Sequence, residues 1–232
     1  FMPQGKWDFG IDGSVEGGAN PKFNFDSVIT AGNDKLKLAG LMTTKAIGRM
    51  SVNSENLSLV AYAPLVEDFS KKYFELKDFS GDVKNLHLLY DNEKEKLSFS
   101  GEAEANNLKG KIVLSGNEYN LSLNGKVKAT DNVLSFKDVL AKVDENQIDF
   151  AGVVDLTNLE KPKASGSLTS KELAYDGRKI NDVVLPFVAD GALITVNKAG
   201  FKYGDGSVDI NASYAVEDKS LAADFNFKNI IL

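Results

Sequence analysis

The chain is dominated by stretches in which apolar and polar residues alternate. Side chains on a β-strand point to opposite faces in turn, so each stretch predicts a strand with one apolar and one polar face. The stretches are residues 7–15, 97–105, 121–129, 148–156, 208–216 and 221–227.

Short Gly, Asn and Asp signals of the kind that tight hairpins require separate the alternating stretches. These turn signals are Asp12-Gly13, Gly32-Asn33-Asp34, Asp176-Gly177, Asp190-Gly191 and Gly204-Asp205-Gly206. Together with the alternation they predict an all-β fold of about a dozen or more strands, joined mostly by short antiparallel connections.

One segment has helical instead of strand spacing. Residues Pro64–Phe74 place Leu65, Phe69 and Tyr73 four apart with charges between them. This predicts a short amphipathic helix, with the proline in its first turn. Such a helix would be either a cap that covers part of the sheet or a gate that docks a partner.

Two further features concern the shape of the strands. The alternation changes phase at Lys137-Asp138 and around Ala39–Leu41, as a β-bulge would produce. A mid-strand glycine usually marks a bend, and a row of bends would curl the sheet around its apolar face. A glycine followed by polar, apolar and polar residues recurs at Gly13, Gly81, Gly101, Gly125, Gly166 and Gly206, with a looser copy at Gly152.

The apolar face is the candidate functional surface. A sheet with one apolar face folds onto a second sheet, closes into a barrel, or stays open and holds an apolar ligand. The residues expected to line this face are Leu97, Phe99, Leu121, Leu123, Val127, Ile148, Phe150, Val154, Phe187, Ile194, Val196, Val208, Ile210, Tyr214, Phe225 and Phe227.

Composition narrows the choice of partner. The 232 residues are 43% hydrophobic and 26% charged, which is typical of a folded domain. The net charge of -6 is spread along the chain, without the basic stripe that nucleic-acid binding needs. There is no cysteine, so disulfides and thiolate metal sites are excluded.

Candidate catalytic and metal-binding residues are few. His87 is the only histidine, which leaves no second imidazole for a zinc site, and there is no G-x-S-x-G motif. Gly204-Asp205-Gly206 with Asp209 lacks the spacing of a calcium loop, and Glu102 with Glu104 is expected on the solvated face. The chain is therefore not expected to be an enzyme or to bind a metal or another cofactor.

Four segments carry a resemblance to a known family. They are Phe79–Val83 after the helix, Ala174–Gly177, Gly200–Gly206 and Phe225–Phe227, set among apolar strands followed by Gly-x-apolar. In these the chain resembles the AsmA-like/TamB family of bridge-like lipid-transport proteins of the bacterial envelope, mostly from Leu57 onward. The motifs are degenerate, so the resemblance is one of pattern.

The resemblance implies a U-shaped β groove (a β-taco) in the periplasm that passes phospholipid acyl chains toward the outer membrane. It also implies an inner-membrane anchor outside this sequence and cooperation with an outer-membrane assembly barrel. We expect residues 1–232 to be a single groove segment of a longer protein, with a possible sub-boundary near 62–80 at the helix.

Two alternatives stay open beside the conduit. A structural or adhesion-type β-sandwich would use the same apolar faces as a closed core without a ligand. An outer-membrane barrel is disfavoured, because the apolar face contains many alanines and glycines and aromatic girdles are not evident.

Overall fold

The computed structural model places the strands in one large, open antiparallel sheet, and they follow one another in the sheet in chain order. It describes residues 7–18, 21–31, 34–44, 46–71, 75–92, 98–114, 116–158, 160–175 and 177–230. The strands are β1 Trp7–Glu16, β2 Lys22–Ala31, β3 Asp34–Thr43, β4 Ile47–Ser58, β5 Glu75–Asp91, β6 Ser98–Leu114, β7 Asn117–Thr130, β8 Val133–Val143, β9 Asn146–Asp155, β10 Lys163–Tyr175, β11 Arg178–Asp190, β12 Leu193–Tyr203, β13 Gly206–Ala215 and β14 Ser220–Lys228.

The alternation therefore identified strands correctly. The six alternating stretches fall in β1, β6, β7, β9, β13 and β14, except for a residue or two at some ends and for Leu97, which lies outside the described residues. The all-β fold class and the antiparallel sheet are confirmed.

One predicted turn is wrong. Asp12-Gly13 lies inside β1, where Gly13 pairs with Phe25 of β2. A Cβ on Gly13 would lie 2.8 Å from the Asn24 carbonyl oxygen and 3.1 Å from ring carbons of Phe23, so there is little room for a side chain. Gly191 and Gly204 do form turns, with φ of 59° and 56°. Gly32, Asn33 and Asp176 lie outside the described residues.

The predicted helix is present but shorter. A 3-10 helix, Val60–Tyr62, leads into α1, Ala63–Ser70, which has its proline in the first turn as expected. Helix α1 ends at Ser70 with Lys71 as its C-cap, and residues 72–74, which the prediction also included, lie outside the described part of the chain.

Of the two predicted bulges, the one in β8 is confirmed. The β8–β9 register shifts between Phe136 and Val139, and Asp138 there has a φ of 51°. The β3–β4 register shifts directly after Leu41. The bulge predicted at Lys137-Asp138 is thus found, because the extra residue in β8 reverses the alternation that follows it. The bulge predicted around Ala39–Leu41 is wrong for β3, which pairs with β2 without a shift; the extra residue is Gly48 of β4, between the pairs Leu41–Arg49 and Met42–Ile47.

The chain divides into two compact units, with the boundary in β7. The N-terminal unit is Phe1–Tyr119 with Lys126–Asn132, and the C-terminal unit is Asn120–Gly125 with Val133–Leu232. The 3-10 helix and α1, near which a sub-boundary was expected, lie inside the N-terminal unit.

The same bulged pattern occurs once in each unit. In β4 the Ser54 hydroxyl lies 2.8 Å from the Lys35 carbonyl oxygen and 2.9 Å from that of Asn56. In β10 the Ser170 hydroxyl lies 2.6 Å from the Gln147 carbonyl oxygen and 2.9 Å from that of Glu172. We call these the two serine bulges. Each begins a Ser-x-x-Leu sequence, SENL in β4 and SKEL in β10.

The strands around the serine bulges match in register. The β4 pairs Ser54–Leu86 and Asn56–Lys84 correspond to the β10 pairs Ser170–Val183 and Glu172–Asn181. In the following strand Asn85 and Asp182 both have a φ of 51°, and the register shifts at the same place. Strands β3–β6 and β9–β12 are therefore two versions of one four-strand pattern.

Candidate functional site

Cross-strand register defines an apolar face in the C-terminal unit, because residues paired across strands share a face. One row of directly paired residues crosses seven strands. It consists of Phe136, Gly152, Gly166, Phe187, Val196, Ala212 and Ala223.

Most of the residues predicted from the alternation lie on this face. Leu121 and Leu123 share it, because a Cβ on Gly125 of the same strand would meet Val139. Pairing and alternation place the others there: Ile148, Phe150, Val154, Phe187, Ile194, Val196, Val208, Ile210, Tyr214, Phe225 and Phe227.

The N-terminal unit has an apolar face of its own. Phe99 pairs with Tyr90 on it, Val127 is half-buried in the part of β7 that belongs to this unit, and Leu97 is outside the described residues. Its members in β2–β5 were missed, because Ser27 and Val28 interrupt a clean alternation in β2. One missed row is Ser27, Leu38, Val52 and Leu88, which continues to Ile11 of β1 and Gly101 of β6.

Aromatic rings lie against several glycines of these faces. A Cβ on Gly152 would come within 2.9 Å of the Phe150 ring, and Gly166, paired with Gly152, would meet the same ring at 3.2 Å. In the N-terminal unit a Cβ on Gly40 would lie 2.8 Å from the ring of Phe25. A backbone carbonyl oxygen of the neighbouring strand lies closer still, at 2.8 Å for Gly152, 2.6 Å for Gly166 and 2.5 Å for Gly40. A side chain at these positions would therefore meet both a ring and the adjacent strand.

The apolar faces are only partly covered. The buried hydrophobic residues of the described chain are Leu57, Leu76, Ala129, Ala199 and Val208. Toward the β14 edge exposure is high, at 70% for Leu221, 55% for Phe225 and 63% for Phe227. A sheet packed against a second layer would instead bury large side chains throughout.

The opposite faces carry cross-strand ion pairs. In the C-terminal unit Lys179 Nζ lies 2.7 Å from Glu172 Oε1, and the hydrogen bond raises the pKa of this lysine. In the N-terminal unit the hydrogen bond from Lys77 lowers the pKa of Glu118. Four polar residues that alternate with the apolar ones in β7, β13 and β14 are exposed: Lys126, Asp209, Asn211 and Asp224.

Helix α1 lies against β5 at one end of the N-terminal unit. The Phe79 amide donates to Glu67 Oε1 at 3.0 Å, and Ser70 at the end of the helix is buried. Burial, and secondarily the charge of Asp34, raises the pKa of Tyr62 just before α1. These contacts attach α1 to β5, and both the cap and the partner-docking gate stay predictions.

Within the described part of the chain neither a metal cluster nor a membrane-spanning helix is found. The described residues contain no group of three or more His, Asp or Glu side chains placed to hold a metal ion. No helix among them has the length and apolar character needed to cross a membrane.

Comparisons with protein-family models, curated proteins and solved structures found no match for this chain. The AsmA-like/TamB resemblance therefore stays a prediction.

Proposed function

We propose that this chain is a lipid-binding conduit segment of a bacterial envelope protein. In this role phospholipid acyl chains would lie along the apolar faces and pass between the inner and outer membranes, in support of outer-membrane biogenesis. The observation that supports it is the exposure of the apolar faces of the sheet. Each face carries rows of large apolar side chains, and only a handful of hydrophobic residues in the described chain are buried. Apolar surface of this extent needs an apolar partner in water.

The charge pattern of the sheet also supports this proposal. Acyl chains need an apolar track, and the paired row from Phe136 to Ala223 contains no charged residue. The ion pairs lie on the other side, where Lys228 Nζ is 2.8 Å from Asp209 Oδ2. An apolar ligand on the first face and water on the second would suit the uncharged row and the ion pairs alike.

The remaining parts of the proposal follow the family resemblance. They are the periplasmic location, the inner-membrane anchor outside this sequence and the cooperation with an outer-membrane assembly barrel. A structural or adhesion module without a ligand is the competing function, and it requires the apolar faces to be closed in solution.

Native mass spectrometry of the purified protein, without added lipid, separates the two functions. We expect phospholipid to co-purify with the wild type and to be lost from Ile210→Asp and Leu123→Arg, which place charges on the apolar face. Val188→Asp is the matched control, since Val188 is 51% exposed and lies on the polar face of the same unit. It should retain the lipid.

Circular dichroism of the same variants completes the test. An open face can hydrate a new charge, whereas a closed core pays several kcal/mol for it, about 3–5 or more. Folded variants without lipid would support the conduit. A bare wild-type mass, or loss of the β signal in both apolar-face variants, would mean that the face is an ordinary core.

A further inference from the structure

A polar cleft of about 680 Å³ lies on the polar face of the N-terminal unit. It is on the side of the sheet opposite the row Leu38, Val52 and Leu88. The side chains that matter for what it could bind are Lys35, Lys37, Asn53, Glu55, His87 and Glu102. Its volume falls in the range of small-molecule sites, roughly 300–1,000 Å³.

Bulges in two adjacent strands surround the cleft. The Ser54 serine bulge displaces β4, and in β5 the left-handed Asn85 accompanies a register shift between Lys84 and His87. A bulge leaves a residue unpaired and increases the local twist, which opens a depression in an otherwise continuous sheet surface.

A single cross-strand row crosses this depression. Lys37 pairs with Asn53, Asn53 with His87, and His87 with Glu102. The row thus runs from an ammonium on β3 to a carboxylate on β6. Three strand spacings separate their backbones by roughly 14 Å, and both side chains are long enough to reach inward.

The charges in the cleft do not pair with one another. Among the described residues neither Lys35 nor Lys37 has a carboxylate within 4.0 Å, and Glu55 and Glu102 have no cation within that distance. On the same unit, Lys77 pairs with Glu118 at 3.0 Å and Arg49 with Asp91 at 2.9 Å. The cleft therefore presents both signs of charge to a ligand.

The only histidine stands at the centre of the row. The Asn53 amide oxygen accepts a hydrogen bond from His87 Nδ1, which leaves the other ring nitrogen, Nε2, for a ligand. His87 is exposed, so a bound molecule can reach it.

The C-terminal unit shows that the fold does not require these side chains. Its matching serine bulge has Gln147, Asp149, Thr169, Val184 and Gly200 where the cleft has Lys35, Lys37, Asn53, His87 and Glu102. The bulged backbone is common to both units, whereas the two lysines, the imidazole and the Glu102 carboxylate occur in the N-terminal unit only.

We propose that this cleft binds a small zwitterion. Lys35 and Lys37 hold its anionic group, Glu102 holds its cationic group, and His87 Nε2 bonds the polar atoms between them. Each charged group gains a charge-assisted hydrogen bond that a singly charged ligand would leave unmade. Because the cleft is on the polar face, the proposal does not depend on lipid binding to the apolar face.

The single imidazole gives a direct measurement. In untagged protein the His87 ring carbon–proton signal needs no assignment, and it can be followed during titration with phosphoethanolamine. We expect a saturable shift, with binding at least about tenfold weaker for phosphate alone or ethanolamine alone, since losing one charged contact costs about 1.4 kcal/mol or more. Vesicles of phosphatidylethanolamine, compared at equal headgroup concentration, separate a free zwitterion from a membrane headgroup.

Two substitutions that copy the C-terminal unit test the site, with His87 kept as the reporter. Lys35→Gln and Glu102→Gly should each weaken binding about tenfold while circular dichroism stays unchanged. Lys128→Gln, an exposed lysine outside the cleft, is the control and should bind as the wild type does. Equal shifts with phosphate alone, no saturable shift, or binding unaffected by either cleft substitution would overturn the proposal.

Discussion

Strands β3–β6 of the N-terminal unit and β9–β12 of the C-terminal unit share one register and one pair of bulges, yet they differ in what they attach to that framework. After its serine bulge the N-terminal version continues through residues 59–74, which include the 3-10 helix and α1. In the C-terminal version β10 ends at Tyr175 and β11 already begins at Arg178. The bulges thus belong to the fold that both units share, whereas the helix and the polar cleft occur in one unit only.

The two versions also place their rings differently. In the C-terminal unit Phe150 lies over the paired glycines Gly152 and Gly166, and its centroid is 6.3 Å from that of Phe187. In the N-terminal unit Met50 stands where Gly166 does, and the ring against Gly40 comes from Phe25 of the preceding strand. The same position therefore needs a glycine in one unit and accepts a side chain in the other.

The largest expected effect tests this difference. In Gly166→Val the new Cβ would lie 2.6 Å from the Ala151 carbonyl oxygen and would press on the Phe150 ring. We expect the free energy of unfolding to fall by about 3 kcal/mol, as measured by urea denaturation. Gly10→Val in β1 is the control: nothing lies within 4 Å of a Cβ there, so its stability should hardly change. Equal losses in both variants would contradict the ring-and-glycine explanation.

The next largest effect tests the serine bulges, which both versions of the pattern contain. Ser170→Ala and Ser54→Ala each remove a buried hydroxyl that lies within hydrogen-bond distance of two carbonyl oxygens. Each should lower the free energy of unfolding by about 1–2 kcal/mol, because buried acceptors lose a donor. If one variant is costly and the other neutral, the two serine bulges are alike in geometry but not in energetics.

Sequence alone predicted the strands well and the site less completely. Alternation is a local signal, and β13 and β14 follow it without interruption, so Val208, Ile210 and Phe225 could be placed on one face directly. In β2 the neighbours Ser27 and Val28 obscure that signal, and the apolar face there emerges only from pairing with Leu38.

The serine bulges and the polar cleft depend on contacts between strands that are distant in the chain. Ser54 reaches Lys35, and His87 meets both Asn53 and Glu102. The recurring Ser-x-x-Leu sequence is a signal that could have revealed the repeated pattern. This four-residue sequence is a weak signal by itself. The repeat is recognised only from the register shift that occurs in each unit and from the matching left-handed residues Asn85 and Asp182.

The smallest expected effect is a gain in stability, in contrast to the losses predicted above. Ser27 is 3% exposed on the apolar face of the N-terminal unit, and its hydroxyl has no hydrogen-bond partner among the described residues. The matching position of the C-terminal unit holds Val139, which pairs with Phe150 as Ser27 pairs with Leu38. A buried hydroxyl without a partner costs about 1–3 kcal/mol, and an alanine leaves only a small void in its place. We therefore expect Ser27→Ala to raise the free energy of unfolding by about 1 kcal/mol in urea denaturation.

Ser54→Ala is the matched control, since that serine is also buried but has two acceptors, and it should lower the free energy of unfolding. A loss of stability in Ser27→Ala would show that this hydroxyl is hydrogen-bonded in solution, and the two apolar faces would then differ by a polar contact as well as by their rings.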